Sequence, residues 1–214
     1  MYLTRFDINV ARRQAQALMA SPRRMHGAVE ASFPPVSGGA RALWRVDGSR
    51  GKATLYVVSR TQPDLSHLVE QAGWPTLPPS WKTAEYGGFL DSLQNGQEYQ
   101  FRLLANPTMA LPTGPGRGRR VGHITATQQW EWLRSRAESR LGFGVGGDQP
   151  TGTVVARDTI SFSRDGHKVT LSTALFEGHL VVTDVDALRE ALVNGIGPAK
   201  AYGCGLMTLA QPLT

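Results

Sequence analysis

The chain has 214 residues, 41% of them hydrophobic and 19% charged, with one cysteine and a formal net charge of +6. That length suits one large domain or two small ones, and the apolar content excludes a disordered tail. No apolar run approaches the ~20 residues that span a bilayer, Arg5, Asp7, Arg12 and Arg13 interrupt any signal-peptide core, and the lone Cys204 excludes an internal disulfide and a multi-cysteine metal site.

Tyr2 to Val10 alternates in part (Leu3, Phe6, Ile8, Val10) and predicts a first strand. Ala11 to Met19 offers helix formers and stops near Ser21-Pro22. Arg41 to Val46 and Ala53 to Ser59 read as two strands joined at Asp47-Gly48. Asp64 is placed to cap a short helix through Val69 to Ala72, and a loop rich in proline and tryptophan follows from Trp74 to Trp81. Gln97 to Ala105 sets Tyr99, Phe101 and Leu103 on one face of a further strand, which completes the order βαββαβ.

Residues 106–118 carry three prolines and three glycines and read as a linker or exposed loop. A second half opens on a poorly defined strand near Val121 to Ile124. Thr125 and Gln128 match a capping box, and Trp130, Leu133, Ala137 and Leu141 then share a helical face that ends at Gly142. Val154 to Phe162 and Val169 to Val182 predict a strand pair around Arg164-Asp165-Gly166-His167. Asp184 caps a last helix whose inward face holds Val185, Leu188 and Leu192, and Gly203 to Leu209 supplies a closing strand. The expected class is α+β: two tandem ferredoxin-like (split βαβ, RRM-like) halves at residues 1–105 and 119–214, with 106–118 between them.

The positive charge is unevenly placed. Residues 1–60 hold ten basic groups against three acids, whereas the other 154 residues hold thirteen against fourteen. Arginine dominates, and its planar fork matches phosphate geometry, so nucleic acid is the expected partner. A solvated basic surface kept for solubility is the alternative. Near the C-terminus, Gly195, Gly197, Gly203 and Gly205 crowd around Lys200 in one helix–loop–strand junction. Glycine tolerates positive φ, and successive exposed N–H groups make a concave anion site. The junction lacks the strand–loop–helix order and the GxGxxG spacing of a dinucleotide fingerprint. A turn that only reverses the chain is the alternative, and a nucleotide-binding enzyme has no other support.

Further basic residues lie at Gly116-Arg117-Gly118-Arg119-Arg120, an exposed clamp or a plain surface loop, and at Arg157, Arg164 and Lys168 on the expected hairpin. His26 stands beside Arg23 and Arg24 in Ser21-Pro22-Arg23-Arg24-Met25-His26. The other histidines show no metal-ligand spacing, no acidic cluster marks a magnesium site, and no Gly-x-Ser-x-Gly elbow is present. No metal or small-molecule cofactor is expected.

Three blocks resemble one family: the opening Met1-Tyr2-Leu3-Thr4-Arg5, the segment Ala174-Leu175-Phe176-Glu177-Gly178 with Leu180-Val181-Val182, and Gly195 to Leu206 with its glycines and Lys200. They are similar to the CRISPR repeat-processing endoribonucleases of the type I-E Cascade complex, the CasE subfamily. The resemblance covers essentially the whole chain, with residues 62–96 not distinctive. The single cysteine and the interrupted signal core fit a cytoplasmic, reducing location, and the resemblance implies a protein that cuts CRISPR repeat RNA at the base of a stem–loop, keeps the product, and has other Cascade subunits as partners. It places the catalytic histidine of the Met-His pair at His26. Many members carry a tyrosine three residues earlier, where this chain has Arg23. Arg23 then stabilises charge, or another group serves, or no such group is needed. The expected catalytic set is His26, Arg23 and Lys200. The expected RNA contacts are Arg24, Arg117, Arg119, Arg120, Arg157, Arg164, Lys168 and the glycines of the loop. A non-catalytic hairpin-RNA-binding subunit is the competing expectation.

Overall fold

The structure is a computed structural model that describes residues 1–35, 42–49, 51–76, 78–111, 119–146, 149–164 and 167–212. The chain divides into two compact units. One is Met1–Ser92 with Lys200–Gly203, and the other is Leu93–Ala199 with Cys204–Thr214.

The first unit runs β1 (Tyr2–Ile8), α1 (Arg13–Met19), α2 (Pro22–Glu30), β2 (Leu43–Ser49), β3 (Lys52–Ser59), α3 (Ser66–Ala72), β4 (Trp81–Glu85) and α4 (Gly87–Ser92). Its antiparallel sheet has the order β2-β3-β1-β4, the ferredoxin-like arrangement. Alternation along β1 buries Thr4, Phe6 and Ile8 and exposes Arg5 and Asp7. Phe6, Ile8, Leu55 and Val57 from the sheet meet Ala15 and Leu18 of α1, Met25 and Val29 of α2, and Leu68 and Val69 of α3 in one core. Full burial of each large apolar side chain contributes roughly 1.5–3 kcal/mol.

The second unit runs β5 (Glu98–Ala105), β6 (Thr108–Leu111), β7 (Arg119–Gly122), α5 (Ala126–Arg136) with a π-helical turn over Ala137–Leu141, β8 (Phe143–Gly144), β9 (Gly152–Arg164), β10 (His167–Val182), α6 (Val185–Asn194) and β11 (Met207–Ala210). The main sheet has the order β11-β5-β10-β8, so the ferredoxin-like pattern repeats, and β9 joins β10 as a long hairpin. Thr125 forms the expected capping box with Gln128, and Asp184 caps α6 through the N–H groups of Asp186 and Ala187. Gly142 adopts φ 72, where a Cβ would sit 2.0 Å from the Asp184 carbonyl oxygen.

Strand assignment differs from the sequence expectation at three places: Glu98–Ala105, Thr108–Leu111 in the expected linker, and the stretch near Val121. Glu98–Ala105 is a strand, and it buries Tyr99, Phe101 and Leu103 as expected, but it pairs with β10 and β11 in the second unit. The fourth strand of the first sheet is instead Trp81–Glu85, in and beyond the segment read as loop. The units accordingly divide at Ser92/Leu93 rather than at 105. The stretch near Val121 does not open the second sheet; β7 pairs only with β6 in a separate two-stranded hairpin. Periodicity identifies a strand, not its partner, and Trp81–Glu85 is a short edge strand with no buried residue.

Two smaller corrections concern turns. Ser49 lies opposite Lys52, so β2 runs on past Asp47-Gly48, which is within the strand. Asp47 is retained in the strand by Arg45, whose Nε donates to Oδ1 at 2.7 Å. Ser21-Pro22 does not only stop a helix: it also starts α2. Arg41, Arg117, Asp165 and Gly166 lie outside the described residues.

Candidate functional site

Helix α2 begins at Ser21, whose hydroxyl accepts from the Arg24 N–H at 3.4 Å, with Pro22 preset in the first helical position. Met25 and Val29, four apart, anchor one face in the core. That register leaves Arg23 and Arg24 exposed and sets His26 at the margin, with 29% of its side chain accessible. The His26 Nδ1 is shielded from solvent and has no hydrogen-bond partner among the described residues, and lies 3.9 Å from Oε1 of Glu30 one turn on.

The Lys200–Tyr202 segment is a single 3₁₀ turn that packs against α2 and β2 within the first unit. Two segments more than 170 residues apart therefore meet: the helix carrying His26 and the turn carrying Lys200. Gly203 at φ 83 lets the chain leave that turn over the Trp44 ring, where a Cβ would come within 2.8 Å of Cζ3. Gly195, Gly197 and Gly205 also have positive φ, as does Ala199 at φ 66. A non-glycine residue held there is strained, and such strain concentrates where a loop is fixed for a purpose. Cys204, fully buried beside the turn in sequence, has its thiol pushed up to about 12 by desolvation.

The remaining expected contacts lie in the second unit. Arg157 is exposed on β9 and donates to the Ile124 carbonyl at 3.0 Å. Arg164 and Lys168 flank the hairpin turn, on β9 and β10 respectively. Arg119 lies opposite Leu111 and Arg120 opposite Ala110, and Arg120 is exposed. Gly195 caps α6, and the Ile196 N–H donates to the Gly205 carbonyl at 2.9 Å.

Sequence reasoning overestimated the cationic field of the first quarter. Arg45 is 1% exposed, paired with Asp47 and set over the Tyr56 ring at 5.6 Å. Arg5 pairs with Asp7, and Arg12 donates to the Val69 and Gly73 carbonyls. Arg136 is not among the expected contacts, yet its guanidinium lies 4.6 Å above the Trp132 ring and donates to the Trp132 carbonyl at 2.9 Å. The only signal was a basic residue in the last turn of a helix, which serves any C-terminus. Among the described residues no three His, Cys, Asp or Glu converge to hold a metal ion. Among the described residues no helix is long and apolar enough to cross a membrane.

Chemically, a half-buried imidazole, exposed guanidiniums and a lysine-bearing turn offer proton transfer and anion stabilisation. The family model described as CRISPR associated protein matches residues 1–211. The CRISPR-associated endoribonuclease Cse3 of Thermus thermophilus is 31% identical over 221 residues, covering 98% of this chain and all of the relative. The CRISPR system Cascade subunit CasE of Escherichia coli is 28% identical over 183 residues, 79% of this chain and 89% of that protein. A solved structure of Thermus thermophilus Cse3 bound to an RNA representing a pre-cleavage complex superposes with a TM-score of 0.80 at 31% identity, with 98% of each chain covered. With the match running nearly end to end and the tandem ferredoxin-like fold in common, the chain belongs to the CRISPR-associated protein family that includes Cse3 and CasE.

Proposed function

We propose that the chain is a metal-independent endoribonuclease that cuts CRISPR repeat RNA at the base of its stem–loop and retains the product. Its relatives are named as an endoribonuclease and a Cascade subunit, so repeat RNA and other Cascade subunits are its partners, in the cytoplasm. The observation that carries the reading is the packing of the Lys200 turn on the His26 helix.

The reaction follows from RNA's own nucleophile. The 2′-OH loses its proton, its oxygen bonds to the adjacent phosphorus, and the P–O bond to the 5′-oxygen breaks. The leaving oxygen takes up a proton, and a 2′,3′-cyclic phosphate remains. His26 moves the proton, since imidazole titrates near neutral pH, and such a group typically contributes about 10²–10⁴-fold. Lys200 and Arg23 neutralise the charge that builds on the phosphorane oxygens. Arg24, the hairpin residues Arg157, Arg164 and Lys168, and the stretch Arg117 to Arg120 bind the RNA backbone. The stem's deep major groove leaves shape and phosphate contacts dominant. The partly exposed loop glycines Gly195 and Gly197 admit close approach of that backbone, whereas Gly203 and Gly205 are buried and shape the turn that carries Lys200.

His26→Ala tests this directly. Cleavage of end-labelled repeat RNA falls at least a hundredfold, while stem–loop affinity stays within a few-fold of wild type. Unchanged cleavage by His26→Ala contradicts the mechanism. Wild-type protein that binds the hairpin yet never yields a cyclic phosphate supports a non-catalytic RNA-binding subunit, the reading favoured by Arg23 in place of a tyrosine.

A further inference from the structure

In the second unit, Arg120 of β7 and Arg136 at the end of α5 line one cavity of about 420 Å³, with Trp132, Gly197, Pro198 and the strand β6 as its other walls. Among the described residues no carboxylate lines it. Among the described residues Arg136 donates one N–H, to the Trp132 carbonyl, and the rest of its fork remains for another acceptor. Burial, and then the neighbouring charge of Arg140, disfavour its charged form, which is the electrostatic imbalance an anion relieves.

A second cavity of about 380 Å³ shares Trp132 and Arg136 and adds His123, Thr127, Gln128 and Ser135. Its one carboxylate, Glu131, is held at 2.9 Å by Arg134. The His123 Nδ1 is shielded from solvent and has no partner among the described residues. Buried polar atoms are nearly always satisfied, so an unsatisfied one at a cavity points to a missing group. Each cavity falls in the roughly 300–1,000 Å³ range of ligand sites.

We propose that these adjoining cavities form a subsite for one unpaired ribonucleotide next to the repeat stem. Its phosphate lies between Arg120 and Arg136, and its nucleoside occupies the other lobe against His123, Thr127 and Gln128. The reading rests on the RNA-binding function proposed above. Forked guanidiniums recognise phosphate, and polar side chains read the edges of an unstacked base, the part of RNA that carries sequence information. A free nucleotide has the same chemistry, but both cavities are open, and an open groove suits one residue of a longer strand better than a small ligand that must be enclosed.

The test measures affinity for a repeat hairpin blocked against cleavage by a 2′-deoxy substitution, with and without unpaired flanking nucleotides. Wild type binds the flanked RNA about tenfold more tightly than the bare hairpin, the size of one charge-assisted contact. That ratio falls toward one in Arg136→Gln. Because Arg136 also caps α5, Arg120→Gln, on an exposed hairpin, provides a second variant whose ratio also falls and whose Tm is unchanged. A ratio of one in wild type, or one preserved in both variants, overturns the subsite. Arg120-dependent binding of AMP, GMP, CMP or UMP with no effect of the flank overturns it in favour of a free-nucleotide site. Failure of wild type to bind even the bare hairpin instead removes the RNA-binding reading on which the proposal rests.

Discussion

Two histidines occupy different environments. His26 sits on a helix margin beside exposed arginines, with its Nδ1 turned toward Glu30. His123 is held below its ordinary 6.5, first by burial and then by the Arg136 charge. The folded state therefore disfavours protonation at His123 more than the unfolded chain does. That contribution to stability is fully present above about pH 6.5 and is lost as pH falls from there through the lowered folded value. Wild-type Tm is thus expected to fall more steeply between pH 7 and 5 than that of His123→Gln, measured by thermal unfolding in matched buffers. Parallel declines contradict the assignment. Of the candidate site, the sequence marks Lys200 among its glycines and, through the Met25-His26 pair, His26, and the two segments that carry them pack together. Arg136 was not legible, because its importance comes from a ring beneath it and a cavity beside it.

At the scale of elements, the glycine junction is where local conformation serves the site. Gly203 keeps the Lys200 turn close over Trp44, and a Cβ there meets both a positive φ and the indole ring. Gly203→Ala is expected to cost roughly 1–2 kcal/mol in stability from backbone strain. Its larger effect is on cleavage, which drops by about 10²-fold through displacement of Lys200, while hairpin affinity changes little. Single-turnover rates beside equilibrium binding check this, and equal losses in both would assign the glycine to folding alone. Caps were the most legible elements: Thr125–Gln128, Asp184 and Gly142 all occupy their expected positions, because capping is decided within four residues. Strand partners were the least legible. Glu98–Ala105 has a clean alternation that fits either sheet, and its assignment depends on β10, some seventy residues later. Trp81–Glu85 pairs only along one edge and carries no apolar periodicity to betray it.

On the scale of the molecule, the net charge of +6 describes partner class better than it describes contacts. Arg45 is consumed by the core of the first unit, whereas Arg23 and Arg24 project from α2 into solvent. If Arg24 touches a phosphate, Arg24→Gln weakens hairpin binding and reduces the log–log salt slope by about 0.7–0.9, the counterion release of a single phosphate. An unchanged slope places Arg24 off the RNA. The central claim is narrower: a ribose hydroxyl, served by His26 and Lys200, is the nucleophile. It is tested most directly by replacing the nucleotide 5′ of the scissile phosphate with its 2′-deoxy form and assaying cleavage in excess chelator. The account predicts that the all-ribose hairpin is cut to a 2′,3′-cyclic phosphate and that the substituted hairpin is bound but left intact. Cleavage of the substituted hairpin, or loss of all cutting in chelator, contradicts it.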